Sequence, residues 1–350
     1  MSRQTRTLVL GAIPVVLLTG LVTVDKIPFT DISLTVPYAA EGPGPTFNTL
    51  TEVDGEPVVE VEGAETDEVS GNLNMTTVSV RSGMTLPQVL GRWLTTDDTL
   101  VPLEQVFPQD KSPEEVQELN EIAFTSSEAS ATVAAMNYLG RPVQVEVAGV
   151  LDDAAAQGTV EAGDVIREVD GAVVEKPGQV RDQVLAKQPG DSVELLVERN
   201  GEPETVTVEL GEHPDDPDMA FLGVTMTSHA ADGVEINYNL EDIGGPSAGM
   251  MFSLAVVDKL SPGALNGGKV VAGTGTIAED GTVGPIGGIV HKVRAAREID
   301  AEVFLAPSAN CAEATSRDHG EMTILAVDTL SDAIDQMAAY AEGGDYRTCG

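Results

Sequence analysis

Gly244-Gly245-Pro246-Ser247-Ala248-Gly249-Met250 runs directly into Met251-Phe252-Ser253-Leu254-Ala255-Val256-Val257. Glycines on both sides of Ser247 let backbone approach backbone closely, and Pro246 suits the first turn of a helix. The following run is apolar on nearly every face, which predicts a buried helix. A serine at the exposed start of that helix has unpaired backbone N–H groups around it that can hold a developing oxyanion. On this segment alone, a glycine-rich turn capped by a serine is an equally good reading. A nucleophile also needs a base.

The candidate base lies downstream, where Gly284-Pro285-Ile286-Gly287-Gly288 leads into Ile289-Val290-His291-Lys292-Val293-Arg294-Ala295-Ala296-Arg297-Glu298. As a helix, Ile289, Lys292, Val293 and Ala296 fall on one stripe, while Arg294, Arg297 and Glu298 lie off it. A lysine on an apolar stripe loses water, which favours the neutral amine and lowers its pKa. A neutral amine can take the proton of a serine hydroxyl. The structural alternative is a lysine snorkelling from the edge of a core.

Together these segments resemble a known family. Gly245-Pro246-Ser247-Ala248-Gly249 resembles the nucleophile segment of the Lon-type serine peptidases. Thr274-Gly275-Thr276-Ile277, then Gly281 and Pro285-Ile286-Gly287-Gly288 with Lys292, resembles that family's lysine segment, in the same order. The resemblance covers about residues 215–340. It implies a catalytic Ser247–Lys292 dyad with Thr274 hydrogen-bonded to the lysine, and Gly245, Pro246 and Ala248 shaping the loop. The chain departs from many members in having Gly244 where they carry an acid, and Thr276 where they carry a glutamate.

Of 350 residues, 57 are acidic and 19 are Lys or Arg, a net charge of −38. That charge opposes nucleic-acid binding and any electrostatic hold on anionic headgroups. The length allows two or three domains. Cys311 and Cys349 match no metal spacing; outside the cytosol they could pair, and free thiols are the alternative. His213, His229, His291 and His319 show no metal-ligand spacing, so neither metal nor cofactor is expected.

Residues 1–6 carry Arg3 and Arg6, and Thr7 to Val24 is an uncharged run rich in Leu and Val. That run predicts a transmembrane anchor at 7–28, with a cytoplasmic N-terminus and everything beyond it extracellular. A cleaved signal peptide is the competing reading, but Tyr38-Ala39-Ala40 is a poor cleavage site. Residues 29–139 form an extracytoplasmic region without assignable chemistry. Ser112 and Glu115 make a capping box for one helix, and a second is expected over Ala129 to Leu139.

Residues 140–212 alternate as strands around Gly163-Asp164-Val165-Ile166…Asp170-Gly171, with a short helix from Val180 and an Asn200-Gly201 hairpin turn. This order resembles a bacterial PDZ domain, which would bind an extended peptide beside its helix near Val180 and Val184. Tyr138-Leu139-Gly140 is a weak candidate for the carboxylate loop, and a purely structural module is the alternative. A linker is expected at 213–218, a Lon-type α/β domain at 219–341 and a tail at 342–350.

Two rival chemistries fit less well. Gly245 to Gly249 also satisfies G-x-S-x-G, but too little chain follows for an α/β-hydrolase with a late histidine such as His319. Gly263 to Lys269 begins like a P-loop, yet Val270 replaces the Ser or Thr and a strand follows. No ATPase domain fits. The expectation is therefore a multidomain α/β and α+β protein: transmembrane helix, PDZ-like domain and C-terminal Lon-type domain. This order resembles the membrane-anchored PDZ-and-Lon proteins of Gram-positive bacteria. The implied activity is an ATP-independent serine endopeptidase at the cell membrane, acting on proteins or peptides. Lon-type domains commonly assemble into rings, so a homo-oligomer is within the resemblance. The alternative is a non-catalytic scaffold or sensor.

Overall fold

The computed structural model describes residues 33–350 except 108–110, 152–153, 215 and 241–242, together with isolated positions 12 and 26. The apolar run at 7–28 lies outside the described residues. Among those described, no helix is long and apolar enough to cross a membrane.

The chain first lays down β1 (Tyr38–Asn48), β2 (Val59–Glu62), β3 (Asn72–Arg81), helix α1 (Leu86–Thr95) and β4 (Thr99–Pro102). Helix α2 follows (Pro113–Tyr138). It begins at the Ser112–Glu115 capping box and continues unbroken for 26 residues, where two helices were expected. The central Ser126 and Ser127 weaken helix propensity, but packing overrides it: Ala131, Val133, Ala134, Ala135 and Met136 are buried.

A second series comprises β5 (Val143–Val150), β6 (Val165–Val169), α3 (Pro177–Leu185), β7 (Ser192–Arg199), β8 (Glu202–Glu209), β9 (Gly211–His213), β10 (Asp216–Phe221) and β11 (Val224–Ala230). The remainder is β12 (Glu235–Tyr238), α4 (Gly249–Leu260), β13 (Val270–Gly273), β14 (Thr276–Ile277), β15 (Val283–Gly284), α5 (Ile289–Glu298), β16 (Val303–Pro307), β17 (Thr323–Val327) and α6 (Leu330–Glu342). Thr329 caps α6 by accepting from the Asp332 N–H.

The main sheet has the order β17-β16-β13-β3-β1-β4. Its first four strands run parallel, whereas β1 is antiparallel to both β3 and β4. A register irregularity between Pro43 and Thr46 interrupts the β1–β3 pairing. Pro45 sits there because it has no N–H to give a ladder. This sheet corrects the expected domain plan. Residues of the 29–139 region are not a separate unit: β3 pairs directly with β13, and the Asn74 amide donates to the Val271 carbonyl from 197 positions away. The 219–341 segment supplies only β13, β16 and β17 of that sheet.

The second sheet has the order β8-β7-β6-β5-β11, with α3 packed against it. Its hairpin turns are Asp170-Gly171 and Asn200-Gly201, all four residues at positive φ as a type I′ turn requires. The expected linker is instead the β9–β10 hairpin, and β11 belongs to this second sheet. Alternating apolar residues on β11 find a partner in β5, so the chain leaves the module one strand later than its composition suggests.

Helix α4 is the centre of the larger core. Met250, Met251, Phe252, Leu254, Ala255, Val256 and Val257 are fully buried. Each Met, Phe, Leu and Val side chain among them contributes about 1.5–3 kcal/mol relative to exposure. Phe252 meets Phe124 of α2 edge-on at 5.7 Å and Tyr238 of β12 at 4.8 Å. At the far edge, Cys311 and Cys349 are joined in a disulfide, and Thr348 bridges to Leu325 of β17. Arg347 adds ion pairs to Asp328 and Asp332.

A fragment of residues 219–350 lacks β1, β3, β4 and α2. It should show no cooperative thermal transition by circular dichroism, whereas residues 31–350 should unfold in one. A sharp transition for the short fragment would refute the shared sheet.

Candidate active site

Ser247 sits in a single 3-10 turn, Pro246–Ala248, that feeds α4. Gly245 enters it at φ 87° and ψ 158°, a conformation essentially closed to other residues. The Ser247 carbonyl accepts from the Gly275 N–H (3.0 Å) and from Thr274 Oγ1 (3.0 Å). The Met250 N–H returns a bond to the Gly275 carbonyl (3.1 Å). The segments around Ser247 and Thr274 are thus stitched together before the lysine arrives.

Lys292 arrives from the first turn of α5, whose stripe of Ile289, Lys292, Val293 and Ala296 is buried. Its Nζ donates to Ser247 Oγ at 2.7 Å and to Thr274 Oγ1 at 2.9 Å. Burial lowers its pKa from the ordinary lysine value to about 8. Desolvation alone is the cause, and a group at that value can act as a base near neutral pH. Two features fix the approach of α5. Asn310 clasps Ile286 reciprocally, accepting from its N–H (3.0 Å) and donating to its carbonyl (2.9 Å). Gly288 is at φ 66°, and a Cβ there would fall 2.9 Å from Val78 Cγ2 on β3.

Ser247 and Lys292 open into a cleft of about 500 Å³. One wall is the loop Ile243 to Ala248, another is Pro285 to Gly287, and the third is Pro45, Met75, Thr77 and Val78 of β1 and β3. The third wall carries no sequence motif, and only sheet pairing brings it here. Gly244, the departure from the family pattern, packs against α2: a Cβ there would lie 2.9 Å from Asn120 Cβ. Thr276 lies at the cleft, facing Gly284, where a Cβ would meet Thr276 Oγ1 at 2.3 Å.

Neither His291 nor His319 is hydrogen-bonded to the Ser247–Lys292 pair. His291 points away from the dyad, with Nε2 bonded to Thr99 Oγ1 (2.9 Å), and burial followed by the Arg317 charge holds its pKa below the ordinary range. His319 Nδ1 pairs with the Met322 carbonyl (3.1 Å). The Gly263 to Lys269 stretch is a loop before β13, its Lys269 ion-paired to Glu302. Among the described residues, no cluster of His, Cys, Asp or Glu could hold a metal.

The second sheet carries its own groove, of about 530 Å³, between α3 and the segment Met219 to Met226. Val180 and Val184 line it while packing into the module's core. The glycine-bearing loop at this groove is Phe221-Leu222-Gly223-Val224, with Gly223 at φ 77°, and not Tyr138-Leu139-Gly140, which ends α2. Two apolar residues around a glycine were visible in the sequence. They lie after the module's last hairpin, where no such loop was sought.

Comparison with known proteins finds two family matches in the chain. Residues 121–210 match the model for the PDZ domain, and residues 241–339 match that for the Lon protease (S16) C-terminal proteolytic domain. A probable periplasmic serine endoprotease, DegP-like, from Halomonas elongata is 44% identical over 64 residues, or 18% of this chain. The chain spans only 14% of that relative's length. Among solved structures, the PDZ domain of an SdrC-like protein from Listeria monocytogenes is 26% identical, covering 23% of this chain and 85% of its own, with a TM-score of 0.22. A solution structure from Geobacillus thermodenitrificans is 34% identical, covering 23% of this chain and 94% of its own, also with a TM-score of 0.22.

The lysine imposes a stability cost with a definite sign. Below pH 8 both folded and unfolded states hold its proton, and the fold bears a buried cation. Between about 8 and the ordinary value of 10.5 only the unfolded state is protonated, so stability rises with pH across that window. Lys292→Met should therefore stabilise the fold by up to about 3 kcal/mol at pH 6–7, with the gain vanishing towards pH 10.5. Denaturant titrations of both forms at several pH values would show it, and a pH-independent difference would contradict it.

Proposed function

We propose that this chain, which carries a serine peptidase domain, is an ATP-independent, membrane-anchored endopeptidase that cleaves exported or membrane proteins. The observation that carries the reading is the 2.7 Å contact between Ser247 Oγ and a buried Lys292 amine with a pKa of about 8, open to a cleft.

In the reaction, Ser247 Oγ attacks the scissile carbonyl carbon and its proton passes to the neutral Lys292 Nζ. The carbonyl oxygen becomes an oxyanion stabilised by backbone N–H at the start of the 3-10 turn. Lys292 then protonates the leaving amine as the C–N bond breaks, and an acyl-enzyme remains on Ser247. Water attacks that ester with Lys292 again taking the proton, and collapse returns Ser247 and frees the acid. Thr274 holds the amine by one bond and the Ser247 carbonyl by another. The lysine therefore keeps its aim in both protonation states.

Peptide positioning falls to the PDZ-like module. Strand β11 has β5 on one side and ends the sheet on the other, beside α3. An extended peptide can add there as a further strand, with apolar side chains over Val180 and Val184. ATP independence rests on the sequence, which has a strand after Lys269 where a phosphate loop needs a helix. Anchoring rests on the uncharged run from Thr7 to Val24.

Ser247→Ala and Lys292→Arg should each lower peptide hydrolysis by at least about 10³-fold, since a guanidinium does not deprotonate at usable pH. Wild-type kcat/KM should rise with pH to a plateau, with a midpoint near the Lys292 pKa of about 8. A serine-reactive phosphonate should label Ser247 and fail to label Lys292→Ala. Full labelling and turnover in Lys292→Arg would refute the dyad. Deleting residues 1–30 should move the protein from the membrane pellet to the soluble fraction, and retention in the pellet would refute the anchor.

A further inference from the structure

We propose that Ser127 of α2 is a positioning residue for the reaction. Its hydroxyl fixes the Pro246–Ser247 peptide and so aims the Ser247 N–H at the oxyanion. This rests on the peptidase reading above.

The nucleophile loop has little stiffness of its own. Gly244 and Gly245 precede Pro246, and Gly245 adopts a conformation from which a glycine rotates easily. The peptide following Ser247 is held by Gly275 and Thr274, which both donate to the Ser247 carbonyl. The peptide preceding it is held by α2. Ser127 Oγ donates to the Pro246 carbonyl at 3.0 Å, and the Asn120 carbonyl accepts the Gly245 N–H at 2.9 Å.

A trans peptide is planar, with its C=O and N–H pointing in opposite directions. Fixing the Pro246 carbonyl towards α2 therefore turns the Ser247 N–H away from α2. That N–H lies in the first turn of the helical segment, where it has no partner within the turn and is available to a substrate oxygen. Ser127 itself is buried and closely seated. A Cβ at Gly249 would fall 2.7 Å from its Oγ, so the glycine leaves the slot that the hydroxyl occupies. Helix α2 is in turn anchored by the Phe124–Phe252 contact and by Ser253 Oγ donating to the Ala131 carbonyl (3.2 Å).

The two roles a hydroxyl could play here differ in magnitude. A neutral hydrogen bond contributes modestly to folding. Loss of an oxyanion donor lowers kcat by about 10²–10³-fold. Ser127→Ala in the full-length chain should therefore cut kcat about 10–100-fold, with KM within about twofold, because it loosens one donor without deleting it. The midpoint near pH 8 should stay, since Lys292 is untouched. Affinity for a peptide boronate, whose tetrahedral adduct mimics the oxyanion, should fall in step with kcat/KM. The exposed neighbour Ser126→Ala should leave all of these unchanged. Amide hydrogen exchange in peptides covering residues 243–250 should quicken in Ser127→Ala, a readout that needs no turnover.

Wild-type kcat and boronate affinity in Ser127→Ala would overturn the proposal, as would unchanged exchange in the loop. Failure of the peptidase reading would look different: wild type would then match Ser247→Ala in hydrolysis, and the exchange data alone would decide whether Ser127 holds the loop.

Discussion

The structure depends on keeping one amine dry. An amine can act as a base only through its neutral form, and burial raises that fraction near physiological pH by lowering the Lys292 pKa to about 8. A carboxylate within about 4–6 Å would restore the charge and raise the pKa by about 1–3 units. The chain carries 57 acidic residues against 19 Lys and Arg, yet the described residues lining the cleft include no acid. Gly244 likewise brings no carboxylate to the loop, since a Cβ there would lie 2.9 Å from Asn120 Cβ. The amine keeps two hydroxyl partners, Ser247 and Thr274, which satisfy its hydrogen bonds without supplying charge.

That requirement accounts for the layout of the larger module. Helix α5 must lie close to the sheet, and Gly288 permits it by leaving space beside Val78. Helix α4 must be wholly buried, so α2 covers it and the sheet backs it. The N-terminal strands β1 and β3 extend the sheet and also supply a wall of the cleft. The proteolytic unit is consequently discontinuous in sequence, with the PDZ-like module emerging between α2 and β12. Helix α2 contacts both: it bonds to the nucleophile loop at Asn120 and Ser127 and packs beside β11 of the second sheet.

Much of this was legible from local pattern. The buried helix behind Ser247, the apolar stripe carrying Lys292, the I′ turns at Asp170-Gly171 and Asn200-Gly201 and the Ser112 capping box each follow from side-chain spacing within a few residues. The meeting of Ser247 and Lys292 was implied by the resemblance of both segments to one family, and the fold brings the two side chains to 2.7 Å. The partition into domains was misread, because β11 beyond residue 213 still pairs with β5, and β3 of the 29–139 region pairs with β13. Strand pairing between residues nearly two hundred positions apart has no local signature. The stretch from Ser112 to Leu139 was expected to hold two helices. In the fold, Ser127 sits inside one helix with its hydroxyl directed at Pro246.

The sequence by itself determined which groups could react and which segments had to be buried, since residue chemistry and hydrophobic period are local properties. The tertiary structure alone decided what surrounds them. It put Met75 and Val78 at the cleft, Ser127 behind the Ser247 loop, Phe221 to Val224 at the groove beside α3 and Cys349 against Cys311. These placements arise from packing and pairing across the whole chain, where the energy belongs to the assembled core and to no single segment.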